Sequence, residues 1–210
     1  MGTDESYQNS AKIYDVLDRT YFRKAVSSPR NAVISLLGDE PLTVLDMCTG
    51  TGTNAIAIAG TRSNAKVIGI DISDAMLQKA AAKVEKEAMP NVKLIHMDAT
   101  KMQFPGEKFD VVLISLVLHE SSPDLAEQLL LEARRVLKTA GKVIVVEWEE
   151  PASLLKKIPF YLIKKTEPIG FEDFLKCEMH QYFFRFGFEI TQTIHCDYSK
   201  VMVLKKNDHI

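Results

Sequence analysis

The sequence lacks an excess of either charge and any long apolar run. Its 26 Lys and Arg residues nearly balance 28 Asp and Glu residues, so the formal net charge is −2. A charge this close to zero gives no overall field that would attract nucleic acid or an anionic membrane, and we expect no nucleic acid as a partner. No apolar run is long enough to span a bilayer, so we expect no stable membrane anchor.

Cysteine is also scarce, with Cys48, Cys177 and Cys196 as the only three copies. Their number is odd and no CxxC spacing occurs, which argues against a disulfide framework and against a zinc site. The acidic, polar start of the chain does not have the pattern of a signal peptide. These features favour a reducing compartment, and we expect a cytoplasmic protein without a bound metal.

The length and composition predict one folded domain. The 210 residues include 46% hydrophobic and 26% charged residues, both ordinary for a globular chain. Residues 7–37 have helical spacing and predict two amphipathic N-terminal helices. Residues 151–175 interrupt the later alternation of strands and helices and are rich in proline and apolar side chains. We interpret them as a substrate lid or inserted helical hairpin, with a homodimer surface as the alternative. The lysine pairs Lys156-Lys157 and Lys164-Lys165 are interpreted as solvated residues.

The most informative stretch is residues 43–59, where a short apolar strand is followed by a glycine turn and an apolar helix. Asp46 lies at the end of the strand, and Gly50 and Gly52 form the turn. Glycine tolerates a positive φ and leaves room for a sugar or phosphate beside the backbone. Roughly 20 residues further on, Asp71 ends a second apolar run, where an acid can accept hydrogen bonds from both hydroxyls of a ribose.

Two cofactors fit this unit, and Asp46 separates them. The spacing Gly50-x-Gly52-x-x-Ala55 also fits a dinucleotide fingerprint, which would indicate a nicotinamide-dependent oxidoreductase. A carboxylate beside a pyrophosphate would be repulsive, whereas the ammonium and sulfonium of S-adenosylmethionine would attract it. The residues therefore favour S-adenosylmethionine. The oxidoreductase and a non-catalytic cofactor-binding or assembly protein on the same fold are the alternatives.

The rest of the chain continues the strand and helix alternation. A single helix is predicted over residues 171–186, and the last two strands must be antiparallel because too few residues separate them for a crossover. Apolar runs predict seven strands at residues 43–47, 66–71, 92–97, 109–115, 142–148, 188–194 and 199–204.

With these elements in place, residues 44–204 resemble a class I S-adenosylmethionine-dependent methyltransferase. The resemblance implies an α/β fold, a Rossmann-like three-layer sandwich whose seven-stranded, mostly parallel sheet has the order 3-2-1-4-5-7-6 with strand 7 antiparallel. Within the class the chain is loosely similar to the ubiquinone and menaquinone biosynthesis methyltransferases, through Tyr14-Asp15, residues 44–52 and Glu147 at the end of the fifth strand. Cys48 replaces the usual first glycine of the turn. The resemblance rests on the closing antiparallel pair and on seven residues: Asp46, Cys48, Gly50, Gly52, Asp71, Asp98 and Ala99.

The resemblance also implies the positions of the cofactor-binding residues. Asp46 would lie near the methionine end of the cofactor, Asp71 on the ribose and Asp98 on the adenine amino group. Tyr14, in an N-terminal helix, would cover the methionine end. The other residues expected to line the cofactor are Cys48, Thr49, Gly50, Gly52, Ile72, Met76, Ala99, Ser115 and Leu116.

His119 is the candidate catalytic residue. It follows the fourth strand, at the edge where open α/β folds bind ligands, and a carbon or oxygen acceptor has to lose a proton. An orienting or core histidine is the alternative interpretation. A small apolar or aromatic methyl acceptor is indicated by the aromatic residues in and near the predicted lid: Trp148, Phe160, Tyr161, Phe171 and Phe174.

Overall fold

The computed structural model describes residues 28–207. Of the predicted N-terminal helices it therefore includes only α1, Pro29–Ser35, which begins at a proline in its first turn. The earlier part of the range 7–37, with Tyr14, lies outside the described residues. The other helices are α2 (Thr53–Thr61), α3 (Asp74–Lys86), α4 (Pro123–Val136), α5 (Leu154–Thr166), α6 (Phe171–Leu175) and α7 (Met179–Phe184).

Seven strands form a single sheet in the described residues. They are β1 (Thr43–Met47), β2 (Lys66–Asp71), β3 (Val92–His96), β4 (Phe109–Ser115), β5 (Leu137–Trp148), β6 (Phe188–His195) and β7 (Ser199–Lys206). Their order is β3-β2-β1-β4-β5-β7-β6. The first five pair in parallel, whereas β7 runs antiparallel to both β5 and β6. The predicted fold class, strand order and antiparallel strand are confirmed.

Alternate strand residues pack into two separate cores, one on each face of the sheet. In β1, Val44 belongs to one core and Leu45 to the other, as the two-residue period of a strand requires. Helix α4 covers the Leu45 side, where it buries Leu130 completely. Helices α1 and α2 cover the Val44 side with Val33 and Ile58. The two cores hold the strands rigidly and thereby fix the positions of the turns that follow them.

Two predicted elements differ from the structure by more than one or two residues. The single helix predicted over residues 171–186 is wrong, because the chain forms α6 and α7 with a break between Leu175 and Met179. Each short helix buries its own aromatic residue in a different cluster, Phe171 beside Trp148 and Phe183 in the core covered by α4. Tertiary packing thus overrides the helical periodicity. Strand β5 begins before residue 142, since Leu137 already pairs with β4.

The insert at residues 151–175 contains α5 and α6. Phe160 and Ile163 of α5 are buried with Trp148 and Phe171 in a third, smaller apolar cluster, and Leu116 packs against it. This cluster places α5 over the carboxyl end of β5. The function of the insert as a lid stays a prediction.

Candidate active site

The candidate site lies at the carboxyl edge of the sheet, where β1 and β4 are neighbours. The strand order leads from β1 to β2 and β3 in one direction and from β4 to β5 in the other. Such a change of direction opens a crevice that binds ligands in doubly wound folds. Met47 pairs with both Ile70 and Ile114, so the three following turns start at the same level.

The turn after β1 adopts left-handed backbone conformations at three residues. The φ angles are +58° at Cys48, +55° at Gly50 and +75° at Gly52. A Cβ on Gly52 would lie 2.9 Å from the Cβ of Ala80, so this glycine allows α3 to approach closely. A Cβ on Gly50 would meet nothing within 4 Å, so the turn borders open space there. Cys48 carries a side chain in a conformation that costs roughly 1–2 kcal/mol for residues other than glycine.

Asp71 joins this turn to the start of α3. Its Oδ2 accepts a hydrogen bond from the backbone N–H of Gly50 at 2.8 Å, and its Oδ1 accepts one from the N–H of Ser73 at 2.9 Å. Each carboxylate oxygen has a second lone pair, so Asp71 can still accept hydrogen bonds from two hydroxyls. The structure therefore places Asp71 beside the glycine turn, as the prediction of a ribose-binding acid requires.

Asp46 is a buried carboxylate, only 2% exposed. Its Oδ2 accepts a hydrogen bond from the Thr49 hydroxyl at 2.5 Å. Loss of solvent raises the pKa of Asp46 to about 6, although the hydrogen bond from Thr49 lowers it and the charge of Asp71 adds to the rise. The hydroxyl of Thr49, a residue predicted to contact the cofactor, therefore donates its hydrogen bond to Asp46. The same loss of solvent raises the pKa of the Cys48 thiol.

The other predicted cofactor residues around β2 and β3 lie along the same edge. Oδ1 of Asp98 accepts hydrogen bonds from the N–H and the hydroxyl of Thr100 at 2.8 and 2.7 Å, and these lower the pKa of Asp98. Ile72 is 46% exposed, whereas Met76 and Ala99 are buried. An exposed isoleucine between two polar strand ends offers an apolar surface on which an adenine ring can lie.

These residues fit the expected cofactor. A buried carboxylate without a cationic partner is costly, and in the described residues Asp46 forms no salt bridge. The ammonium and sulfonium of S-adenosylmethionine would supply the missing positive charge. The open space at Gly50, bordered by Asp71, gives the ribose a place next to the backbone. Asp46, Asp71, Ile72 and Asp98 would therefore hold the cofactor.

His119 lies in the short helical turn Leu118–Glu120 after β4, and its side chain is fully buried. Its Nδ1 is 2.7 Å from Oε2 of Glu147, near the end of β5, and its Nε2 is 3.1 Å from Oε2 of Glu167, after α5. The other oxygen of Glu147 accepts hydrogen bonds from the N–H groups of Val117 and Leu118. Glu147 therefore fixes both the histidine ring and the backbone turn that carries it.

Two carboxylates determine the protonation of His119. Burial opposes the charged imidazolium, but the charges and hydrogen bonds of Glu147 and Glu167 outweigh it and raise the pKa of His119 to about 10. In this arrangement both ring nitrogens donate hydrogen bonds at neutral pH. A protonated ring cannot accept a proton, so a base at this position first has to lose its contact with one carboxylate.

Ser115 ends β4, and Leu116 follows it directly in the chain, shortly before His119. Leu116 has a φ of +57° and donates its N–H to the carbonyl oxygen of Val146 at 2.9 Å. A non-glycine residue in this conformation is strained, and such strain is concentrated at functional sites. The side chain of Leu116 packs against the apolar cluster of Trp148, Phe160, Ile163 and Phe171.

Sequence reasoning missed how two glutamates take part in the site. Glu147 has a signal in the sequence, since an acid after the apolar run 143–146 has to be paired if it is buried. Glu167 has none, because its contact with His119 spans 48 residues and depends on the path of α5. Among residues 28–207 no group of His, Cys, Asp and Glu has the arrangement of a metal site. No helix in the same range is long and apolar enough to cross a membrane.

Comparison with known proteins agrees with this geometry. Residues 44–141 match a family described as a methyltransferase domain. A demethylmenaquinone methyltransferase of Lactococcus lactis is 32% identical over 164 residues, which cover 77% of this chain and 64% of that protein. One of Shouchella clausii is 30% identical over 173 residues, which cover 81% and 73%. The chain thus spans less than two thirds of the length of the Lactococcus lactis relative.

A solved structure shows the same fold over nearly the whole chain. The S-adenosylmethionine-dependent methyltransferase from Aquifex aeolicus superposes with a TM-score of 0.72 at 19% identity, covering 97% of this chain and 98% of that one. The fold, the acids around the glycine turn and the relatives agree on one assignment. The chain belongs to the class I S-adenosylmethionine-dependent methyltransferases and is related to the demethylmenaquinone methyltransferases.

Proposed function

We propose that the chain transfers the methyl group of S-adenosylmethionine to a small hydroxylated aromatic acceptor of the quinol class, with His119 as the base. The names of the relatives support a quinol, since several are demethylmenaquinone methyltransferases. The aromatic side chains beside the histidine support a flat, apolar acceptor. Phe171 and Phe174 lie edge-on to the His119 ring, with centroids 5.5 and 6.3 Å away.

The hydrogen bond between His119 and Glu147 is the observation that carries the proposal. A carboxylate on Nδ1 fixes the ring orientation and leaves Nε2 as the atom that exchanges protons. Nε2 points to Glu167, which belongs to the insert and not to the sheet. Glu147 is held by two backbone amides, whereas Glu167 can leave with the insert.

The chain's own residues then have separate tasks. The cofactor supplies a methyl group that is already activated on a sulfonium, so the protein mainly has to position the reactants and exclude water. Asp46 and Asp71 hold the cofactor. When the acceptor hydroxyl replaces Glu167 at Nε2, one of the two charges that raise the pKa of His119 is lost. Glu167 takes the Nε2 proton with it as a neutral carboxylic acid. The neutral ring can then remove the hydroxyl proton, which makes the acceptor oxygen and the adjacent ring carbon nucleophilic.

The test is methyl transfer from labelled S-adenosylmethionine to a short-chain demethylnaphthoquinol, followed by mass spectrometry of the product. His119→Gln should lower kcat by roughly 100-fold or more, the usual contribution of a general base, and leave cofactor affinity unchanged. His195→Gln is the matched control, because His195 forms a similar pair with Glu149 but is exposed. Equal turnover of His119→Gln and wild type would contradict the proposed base.

The cellular setting is part of the proposal. A cytoplasmic location is supported by the three cysteines, all of which are unpaired in the structure. A homodimer and the absence of a nucleic-acid partner stay predictions. Size-exclusion chromatography with light scattering at several concentrations would decide the oligomeric state.

A further inference from the structure

Helix α5 exposes a continuous apolar face. Leu154, Leu155, Ile158, Tyr161 and Leu162 are between 57% and 82% exposed. A helix turns by about 100° per residue, so these five positions fall on one side of it. Ten large hydrophobic residues are exposed in the described chain, and half of them belong to this face. The face is therefore a concentrated patch and not the scattered exposure that most proteins show.

The opposite side of α5 fixes how the patch is presented. Phe160 and Ile163 are buried in the cluster with Trp148, so the helix cannot turn its exposed leucines inward without losing that cluster. The turn after the helix adds a further apolar residue, Ile169, whose exposure is complete. The patch and the turn together form an apolar surface beside the carboxyl edge of the sheet.

The charges of α5 are all positive. The helix contains four lysines and no acid: Lys156, Lys157, Lys164 and Lys165. Lys157 and Lys164 flank the apolar face and share Glu150 at 3.1 and 3.2 Å. Lys164 also lies 3.8 Å from Glu172, and Lys156 lies 2.7 Å from Asp197. Lys165 lies over the ring of Tyr161, 4.8 Å from its centroid. The exposed ion pairs between these lysines and the neighbouring acids are weak, and other anions can replace the acids.

We propose that α5 and the turn at Ile169 dock the protein reversibly onto an anionic lipid surface, with the helix lying in the plane of the interface. An amphipathic helix with leucines on one face and lysines beside it has the chemistry of an interfacial helix. At 13 residues it is too short to cross a bilayer. The near-neutral net charge of the whole chain gave no such expectation, because the attraction is local to one helix.

The charges favour a membrane over a second copy of the chain. Two α5 helices packed face to face would bring the lysines that flank both apolar faces into one protein interface. Lysine is also depleted from the cores of protein interfaces. Anionic headgroups can instead replace the exposed acids as partners of the lysines, while the acyl region takes up the apolar face.

The test is co-sedimentation of the full chain with phosphatidylcholine vesicles that contain or lack phosphatidylglycerol. The wild type should bind the anionic vesicles, and added salt should weaken the binding. The double variant Ile158→Glu/Leu162→Glu should lose at least about tenfold in affinity for the vesicles, since it places charge in the apolar face. The matched control is Leu125→Glu/Leu131→Glu, which changes two exposed leucines of α4. It should bind like the wild type.

Several outcomes would overturn the inference. No binding of the wild type to anionic vesicles would do so, and so would equal binding of both double variants. A wild-type dimer that the α5 variant converts to monomer, with vesicle binding absent, would assign the face to a second copy. Vesicle binding is measured without cofactor or acceptor, so its failure is separate from a failure of the proposed methyl transfer.

Discussion

At the ends of β1 and β2, the carboxylates of Asp46 and Asp71 accept hydrogen bonds from neutral hydroxyl and backbone groups. Near the end of β5, Glu147 instead holds a buried histidine ring. Negative charge in the first region is left for a cationic ligand to balance. In the second region it is balanced within the protein, and the result is a fixed geometry. One half of the edge is thus prepared to bind a charge, and the other to orient a proton-exchanging group.

The largest loss of stability should follow when the buried pair of His119 and Glu147 is broken. Glu147→Ala leaves His119 buried without its main partner and removes the acceptor of two backbone N–H groups. We expect a loss of about 3–5 kcal/mol in the free energy of unfolding, measured by urea denaturation. Glu149→Ala breaks the exposed pair with His195 and should cost less than about 1 kcal/mol. Equal losses in the two variants would mean that burial does not distinguish the pairs.

The same pair predicts how stability depends on pH. The pKa of His119 is raised in the folded protein from its ordinary value of 6.5 to about 10. The folded state therefore binds the proton more tightly, so this contribution is complete below pH 6.5 and is lost as the pH rises to 10. The free energy of unfolding should fall across this range in the wild type. His119→Gln should flatten that part of the profile, and an unchanged slope would contradict the assignment.

The cofactor half should respond to pH in the opposite sense. The pKa of Asp46 is raised to about 6, so the free protein carries a neutral acid below that pH. A cationic ligand favours the carboxylate, and affinity for S-adenosylmethionine should rise by up to about tenfold per pH unit until it levels off above pH 6. Calorimetric titrations at pH values between 5 and 8, spaced about one pH unit apart, measure this change in affinity. In Asp46→Asn the dependence should be absent, and its persistence would assign the titration to another group.

The smallest effect concerns the strained residue of the glycine turn. Cys48→Gly removes a side chain from a φ of +58° and should stabilise the fold by about 0.5–1 kcal/mol, because strain relief exceeds the added entropy of the unfolded chain. Cys48→Ala keeps a Cβ and should give no such gain. Thermal unfolding of the two variants compares them directly. A gain of the same size in Cys48→Ala would attribute the effect to the thiol.

The two halves also differ in how far the sequence predicts them. The glycine turn, Asp46 and Asp71 lie within a short stretch of chain, where strand ends and spacing determine their relative positions. His119 could be placed at the edge because it follows a central strand. Its partner Glu167 could not, since their contact depends on how α5 packs through Phe160 and Ile163. Side chains brought together by long-range packing leave no local pattern.

The break between α6 and α7 has the same physical origin. The sequence of residues 171–186 predicts one continuous helix, which would carry both Phe171 and Phe183. They nevertheless pack into different clusters, and the break near Glu178 allows both to be buried. The strand order, by contrast, was predictable because the family resemblance supplied what local spacing could not.

The most direct measurement is a calorimetric titration of the full chain with S-adenosylmethionine and, separately, with NADH. We predict binding of S-adenosylmethionine alone and a loss of at least about tenfold in affinity for Asp71→Ala, since each hydrogen bond to a charged group contributes about 1.5–3 kcal/mol. Asp39→Ala, which changes an exposed acid before β1 at the opposite edge of the sheet, should bind like the wild type. Binding of NADH, or S-adenosylmethionine affinity that Asp71→Ala leaves unchanged, would contradict the cofactor site described above.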